Sequence, residues 1–319
     1  MSTTSTSATR SAPPSPSHSA APPPSAAGSA HHPSRSRALT AQRLLLWAVL
    51  LVFAFFFLMP LYVMVSTSLK GMDEVRNGTL LSLPLNPSLD AWSKAWTSAC
   101  TGTDCGGLKP FFMNSVLMVV PAVLISTALG ALNGYVLTKW RFRGSELLFA
   151  LLLFGVFMPM QVVLLPMSQV LGTLGIASSV WGLILVHILA GMPSTTLFFR
   201  NYYAGLPDEL IKAATLDGAS FWQIFWRIVV PLSTPILVVT LIWQFTAIWN
   251  DFLYGVVFSG ADSKPITVGL NNLANTSSTV KEYNVDMAAA LIAALPTLVV
   301  YIVAGKYFVR GLTAGAVKG

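Results

Sequence analysis

The sequence predicts an all-α integral membrane protein of six spans, with a polar helix–turn–helix between the fourth and fifth. Three observations lead there. The 319 residues are 54% hydrophobic and only 10% charged, whereas soluble domains carry about a quarter charged residues. That apolar excess needs lipid as its solvent. Six apolar runs, at about 44–69, 112–138, 147–170, 180–199, 232–258 and 285–307, are each long enough to cross a bilayer. A polar stretch, "DELIKAATLDGASFWQIFWRIVVPLSTP" from Asp208, separates the fourth and fifth runs.

Residues 1–40 are rich in Ser, Thr, Ala and Pro without an apolar period. Such a segment buries too little surface to offset its ordering entropy, so a disordered tail is expected. His18, His31 and His32 lie in it without carboxylate or thiol partners at ligand spacing, so no metal site is read there. The first run, Leu44 to Leu69, is uncharged and too long for a signal-peptide core, with Pro60 placed to bend it. The third run carries Pro159 and Pro166 around Gln161 and is expected to kink; the last carries Pro296. The membrane-spanning body is expected over 41–310, with a short tail at 311–319.

Six spans put both termini on one side. The N-terminal tail, the "KWRFRG" turn (Lys139, Arg141, Arg143), the 200–231 segment and the C-terminal end together hold 13 Lys/Arg, against 6 in the two long loops at 70–111 and 259–284. The positive-inside rule therefore places both termini and the polar stretch in the cytoplasm. It also accounts for the net charge of +7 without nucleic acid, because no basic-aromatic patch lies outside the spans.

In the outer loop, Trp92 and Trp96 are four residues apart on a short expected helix, which reads as packing. Cys100 and Cys105 share that loop in "SACTGTDCGG". Two cysteines make no disulfide scaffold and no zinc site, but in an oxidising compartment they are a disulfide candidate.

The polar stretch reads as two short helices. Pro207 suits a first helical position, and Asp208 and Glu209 suit the positive end of the helix dipole. Gly218 is the expected stop. Ser220 and Gln223 form a capping-box pattern, and Phe221, Ile224, Phe225 and Ile228 share one face. Pro231 is expected to end the element before the fifth span. Ala213 and Ala214 leave a shallow surface on which another protein can pack. Composition leaves a docking element and an amphipathic membrane connector equally open.

Lys212-Ala213-Ala214, then three residues, Gly218, nine residues, and Ile228 to Pro231 resemble the cytoplasmic "EAA" loop of ABC-type importer permeases. That family's pattern is EAA, three residues, G, nine residues, I-x-L-P. Lys212 stands where the family has Glu, with Glu209 one turn earlier, and Val230 stands for Leu. "NGYVLTKWRFRGSE", "TLFFRNYY", "IWNDFLYGVVFSG" and "RGLTAGAVKG" extend the resemblance to the carbohydrate-uptake class, on the side of the smaller maltose-type permease. "SACTGTDCGGLKPFF" and "VKEYNVDMAAALIAALPT" look like its glucose/mannose branch from Gram-negative bacteria. The resemblance implies a type I ABC importer permease in the inner membrane, moving a sugar by alternating access. It implies a second homologous permease, two ATP-binding subunits holding ATP and Mg, and a periplasmic sugar-binding protein. Glu209, Lys212, Ala213, Ala214, Asp217, Gly218, Ile228 and Pro231, in the loop 206–231, would then couple to the ATPase.

The chain has no GxxxxGK[ST] phosphate loop, HExxH or GxSxG, so no catalytic set and no bound cofactor are expected. Polar residues within spans mark a water-filled path or interhelical glue. Gln244, Trp249, Asn250 and Asp251 in "QFTAIWND" are the densest group, with Asn133 and Gln161 further candidates and Asn114, Tyr135 and His187 weaker ones. Planar amides and carboxylates suit sugar hydroxyls, and an indole face suits a pyranose ring; packing between spans is the competing role. An ion-coupled sugar transporter would want several span carboxylates and an internal repeat. A non-transport assembly subunit would not need the coupling pattern.

Overall fold

The structure, a computed structural model, describes the backbone of residues 35–316 except Thr103 and 277–279, and the side chains of 42–305 with the same exceptions. The expected tail through residue 34, with its three histidines, lies outside the described residues. The helix α1 (Arg35–Ser68) already includes residues 35–40 and continues through Pro60. At the other end α14 (Tyr283–Ala316) carries helix into the segment expected as a tail from 311.

Contacts divide the chain at Phe56 and Phe57. In the N-terminal unit the described part of α1 is apolar around its circumference, with Leu44, Trp47, Leu51 and Phe55 all exposed. A helix apolar on every side has no solvated face to offer water and suits lipid.

The second unit is all helical among the described residues. After α2 (Met72–Asn77) and α3 (Asp90–Thr97) come α4 (Lys109–Lys139), α5 (Ser145–Phe157), α6 (Met160–Thr173) and α7 (Val180–Ala204). Then follow α8 (Asp208–Leu216), α9 (Phe221–Ile224), a π-helical turn (Phe225–Val229), α10 (Val230–Leu232), α11 (Thr234–Trp249), α12 (Leu253–Phe258) and α13 (Ile266–Asn275). Among the described residues of the whole chain, four helices are long and apolar enough to span unbroken. Six spans result if two bent pairs each count as one.

Those pairs correct the expected boundaries. The run at 147–170 is α5 and α6 meeting at 107°. Met158 is extended (φ −70°, ψ 127°) ahead of Pro159, because a proline ring excludes helical geometry from the residue before it. The run at 232–258 is not one helix. It bends by 79° between Leu232 and Thr234, and α11 ends at Trp249. The Asn250 side chain donates to the Thr246 carbonyl at 2.9 Å. The Asp251 carboxylate accepts the N–H groups of Tyr254 and Gly255 at 3.4 and 3.1 Å. The two polar residues therefore close one helix and open the next, as capping groups do.

α4 packs along α7 through Gly130 and Gly134. A Cβ on Gly130 would collide with the Thr195 hydroxyl oxygen, and one on Gly134 would lie 2.7 Å from the Phe199 Cβ. Small residues four apart let two backbones approach where lipid gives no hydrophobic drive to associate. Thr195 adds a hydrogen bond to the Ser126 carbonyl at 3.0 Å, and Asn133 donates to Thr196 Oγ1 at 3.3 Å.

One apolar core joins α3, α4, α7, α11, α13 and α14, around Met118, Val119, Leu183, Val186, Trp249 and Ile266. Trp96 packs edge-on against Phe112 at 5.3 Å, and the Trp92 indole donates to Ser68 Oγ at 3.2 Å, so the paired tryptophans of α3 are packing groups. A second core holds Ala131 and Tyr135 of α4, Phe199 and Tyr203 of α7, Ala214, Ile224 and Phe225. Cys100 and Cys105 are joined by a disulfide, with their Cα atoms 3.8 Å apart.

Candidate functional site: a helix–turn–helix and a polar cavity

The polar stretch forms the expected pair of helices, and its local chemistry explains each boundary. Pro207 occupies the cap position rather than the first helical one, and Asp208 opens α8. Lys139, at the last turn of α4, donates to the Asp208 carboxylate at 2.6 Å and to the Leu206 carbonyl at 2.6 Å. The Lys139 ammonium holds the Asp208 carboxyl below the usual carboxylate range, with Lys212 and Arg141 adding to the effect. Gly218 has φ +80°. Its N–H donates to the Thr215 carbonyl, and the Ala219 N–H donates to the Ala214 carbonyl, at 3.0 and 2.9 Å. These two bonds make a Schellman ending that needs a left-handed residue at this place. The reciprocal Ser220–Gln223 capping box is present.

Beyond the turn, Pro231 does not end the element. The chain passes through the π turn and continues as α10 to Leu232, and the break comes at Ser233. The Ser233 hydroxyl turns inward to the Val229 carbonyl and Tyr203, and the Tyr202 hydroxyl donates to the Leu232 carbonyl at 2.8 Å. The element is thus tied to α4 at one end and to α7 at the other.

Its faces divide sharply. Ile224 and Phe225 are buried in the second core, with Phe221 and Ile228 packed against it. Ala214 is buried there too, which corrects the expectation that both alanines face outward; of the two, Ala213 alone is exposed. Glu209, Lys212, Asp217, Gly218 and Pro231 are exposed. So are three large apolar side chains that sequence reasoning missed: Leu216, at 89% exposure, Trp222 and Trp226. For the two tryptophans the signal was present, since they fall off the 221, 224, 225, 228 face.

A cavity of about 220 Å³ opens between α7 and α11, lined by His187, Ser194, Trp243, Gln244, Asp251 and Tyr254 among others. The His187 and Asp251 side chains are both nearly buried, with Nε2 3.7 Å from Oδ2. The His187 Nε2 has no hydrogen-bond partner among the described residues. Gln244 donates to Ser126 Oγ at 2.8 Å and lies over Gly191, so it also locks α11 to α4. The cavity therefore offers an imidazole, an amide and a carboxylate beside aromatic rings, the mixture that hydroxyl-rich ligands use.

Of the six pathway candidates, the fold brings Gln244 and Asp251 to this cavity. Trp249 is a core residue: its indole donates to the Ala293 carbonyl at 2.9 Å and its ring stacks on Phe245. Asn250 bonds its own helix, Asn133 bonds Thr196, and Gln161 is exposed on α6. Asn114 donates to the Asp262 and Lys264 carbonyls, and Tyr135 belongs to the second core. His187, a weaker candidate, is central; nothing in its apolar sequence neighbourhood signals that Asp251 approaches it.

Residues 111–312 match the family described as binding-protein-dependent transport system inner membrane component. A probable ABC transporter permease of Pyrococcus horikoshii is 41% identical over 285 residues, covering 89% of this chain and 100% of the relative. A xylose/arabinose import permease of Haloferax volcanii is 31% identical over 296 residues, covering 86% and 93%. Among solved structures, a chain of a bacterial ABC transporter involved in the import of the acidic polysaccharide alginate superposes with a TM-score of 0.72 at 23% identity, over 87% of this chain and 100% of that one.

Proposed function

This chain belongs to the family of binding-protein-dependent transport system inner membrane components, and from that premise we propose that it is the membrane-spanning subunit of an ATP-driven carbohydrate importer. The observation that carries the proposal is the divided helix–turn–helix. One face is locked into the ends of α4 and α7, and the other presents Leu216, Trp222 and Trp226 to a partner. A rigid-body push on such an element moves the helices it is tied to, which is what a mechanical link to an ATPase requires. Glu209, Ala213, Asp217 and Gly218 line the presented side, Lys212 lies at its edge toward α4, and Ala214, Ile228 and Pro231 hold its shape. The 13-to-6 bias in Lys/Arg supports a cytoplasmic position for this side and for both termini.

In this reading two ATP-binding subunits hold ATP and Mg. A second homologous permease completes the pore, and a periplasmic binding protein delivers the sugar. The cavity at His187, Gln244 and Asp251 is this chain's share of the path, since adjacent donors and acceptors replace the water of sugar hydroxyls. The carbohydrate class is supported by the named substrates of the relatives. Glucose or mannose rests on the branch resemblance at "SACTGTDCGGLKPFF" and "VKEYNVDMAAALIAALPT".

The test is ATP hydrolysis by the reconstituted complex with its binding protein, across a panel of hexoses, pentoses and oligosaccharides. Stimulation by glucose or mannose supports the full reading. Stimulation by another sugar alone retains the importer and removes that branch. No response to any sugar, with the complex intact, removes carbohydrate transport.

A further inference from the structure

Beside the helix–turn–helix lies a cleft of about 570 Å³ between the ends of α4 and α7 and the face of α8. Lys139, Arg141 and Lys212 line it over Ala204 and Ile211, and Asp208 is the one carboxylate among the described lining residues. Asp208 is already engaged by Lys139. Neither Arg141 nor Lys212 has an ion-pair partner among the described residues. Both still act on Asp208 through their charge, so the three cations converge on one space. The formal charge of the lining is therefore three positive and one negative. Lys212 thus leaves the cleft cationic.

We propose that this cleft binds a phosphate group, and that its source is the headgroup of an anionic phospholipid. Arg141 supplies a planar fork that fits two phosphate oxygens, and Lys212 supplies a mobile point charge opposite it. The setting selects lipid over free phosphate. The cleft lies at the ends of α4 and α7, both long and apolar enough to span, and the partly exposed Trp140 and Phe142 adjoin Arg141 in sequence, a placement common for aromatics at a membrane interface. Basic pockets at the cytoplasmic ends of membrane helices are a recurrent headgroup site. The proposal rests on the inner-side assignment given above. Its consequence is that one residue of the coupling element, Lys212, is held by the membrane.

The experiment uses the full chain in nanodiscs of phosphatidylcholine alone or mixed with phosphatidylglycerol, and counts retained phosphatidylglycerol by native mass spectrometry after detergent release. Wild type is compared with R141Q/K212Q, with R141K/K212R, and with R143Q, which removes a charge from the same turn outside the cleft. At roughly fivefold per basic residue near a membrane surface, the glutamine pair should retain about thirtyfold less. The charge-preserving pair should fall between wild type and the glutamine pair, because lysine at 141 keeps the charge and loses the fork, and R143Q should retain wild-type levels. A melting profile in phosphatidylcholine checks that each variant folds. Protection by millimolar inorganic phosphate equal to that by phosphatidylglycerol overturns the lipid source. Equal losses in R143Q and the glutamine pair overturn the site, because they report diffuse surface charge. Wild type that retains no phosphatidylglycerol over phosphatidylcholine also overturns it. The assay uses neither sugar nor an ATPase, so its outcome is separate from that of the transport test.

Discussion

Lys139 and Asp208 meet at 2.6 Å across the gap between α4 and α8. The lysine is nearly buried and the aspartate largely exposed. Lys139 is the last residue of a long spanning helix, and Asp208 is the first of the helix–turn–helix. With its second bond to the Leu206 carbonyl, the ammonium fixes both the entry of the chain into α8 and that helix's angle to α4.

Lys139→Met should therefore loosen α8 without disturbing the spans. The expected result is near-normal membrane abundance, faster hydrogen exchange over 206–216, and weaker ATPase co-purification. The pair also sets a pH signature. The Asp208 carboxyl is lowered in the folded protein, so its contribution is complete above its unfolded value, about 4, and disappears as pH falls through the folded value. Exchange rates in wild type should be flat from pH 7 to 5, after correction for intrinsic chemistry, and rise only below pH 4. The methionine variant should lack that rise. An equal rise in both would assign it to other groups.

The α4–α7 seam makes a different prediction. Gly130→Leu adds a side chain where even a Cβ would fall 2.8 Å from the Thr195 backbone. Overpacking of this kind costs about 1–3 kcal/mol or more. Membrane abundance and thermal midpoint should both drop, and Gly130→Ala should show a smaller drop. Normal abundance of the leucine variant would mean that the seam is not tight.

The spans at α4 and α7 were legible because apolar length is a property of composition alone. The path of the chain within a run was not. Met158-Pro159 reads as a kink but not as a 107° reversal, since the angle depends on what α5 and α6 pack against. Asn250 and Asp251 read as polar groups inside a span because nothing local says that their side chains cap two helices. The turn at Gly218 was legible to the residue, because a left-handed ending, a capping box and a glycine are all local. Which alanine faced the core was not, because it depends on Phe199 and Tyr203 arriving from α7. The Gly130–Gly134 pair is visible in "GALNG", but its spacing alone does not say which helix would pack against it.

Cys100 and Cys105 close a short loop. Constraining the unfolded chain over a loop of this size is worth about 2 kcal/mol in the chain-entropy account. Unreduced peptide mapping should find the two cysteines linked, and Cys100→Ser/Cys105→Ser should lower the thermal midpoint by a few degrees. Quantitative alkylation of both thiols without reductant would show the loop to be open.

Two adjacent alanines and one glycine separate shape from contact in the helix–turn–helix. Ala214 is buried among Tyr135, Phe199 and Phe225, so Ala214→Glu places a charge in an apolar core and should reduce membrane abundance severely. Ala213 is exposed one position earlier. Ala213→Glu should leave abundance normal and abolish ATPase co-purification and uptake together. A Cβ added at Gly218 would meet open space, so substitution there acts through backbone alone. With φ at +80°, a β-branched residue is the worst fit and asparagine the best after glycine. Uptake should therefore rank wild type, Gly218→Asn, Gly218→Val, with membrane abundance unchanged across the three. Measuring abundance, ATPase co-purification and uptake on one set of membranes distinguishes the cases. Normal uptake by both Ala213→Glu and Gly218→Val would remove the helix–turn–helix as the transmission element, since one variant blocks its contact face and the other its hinge.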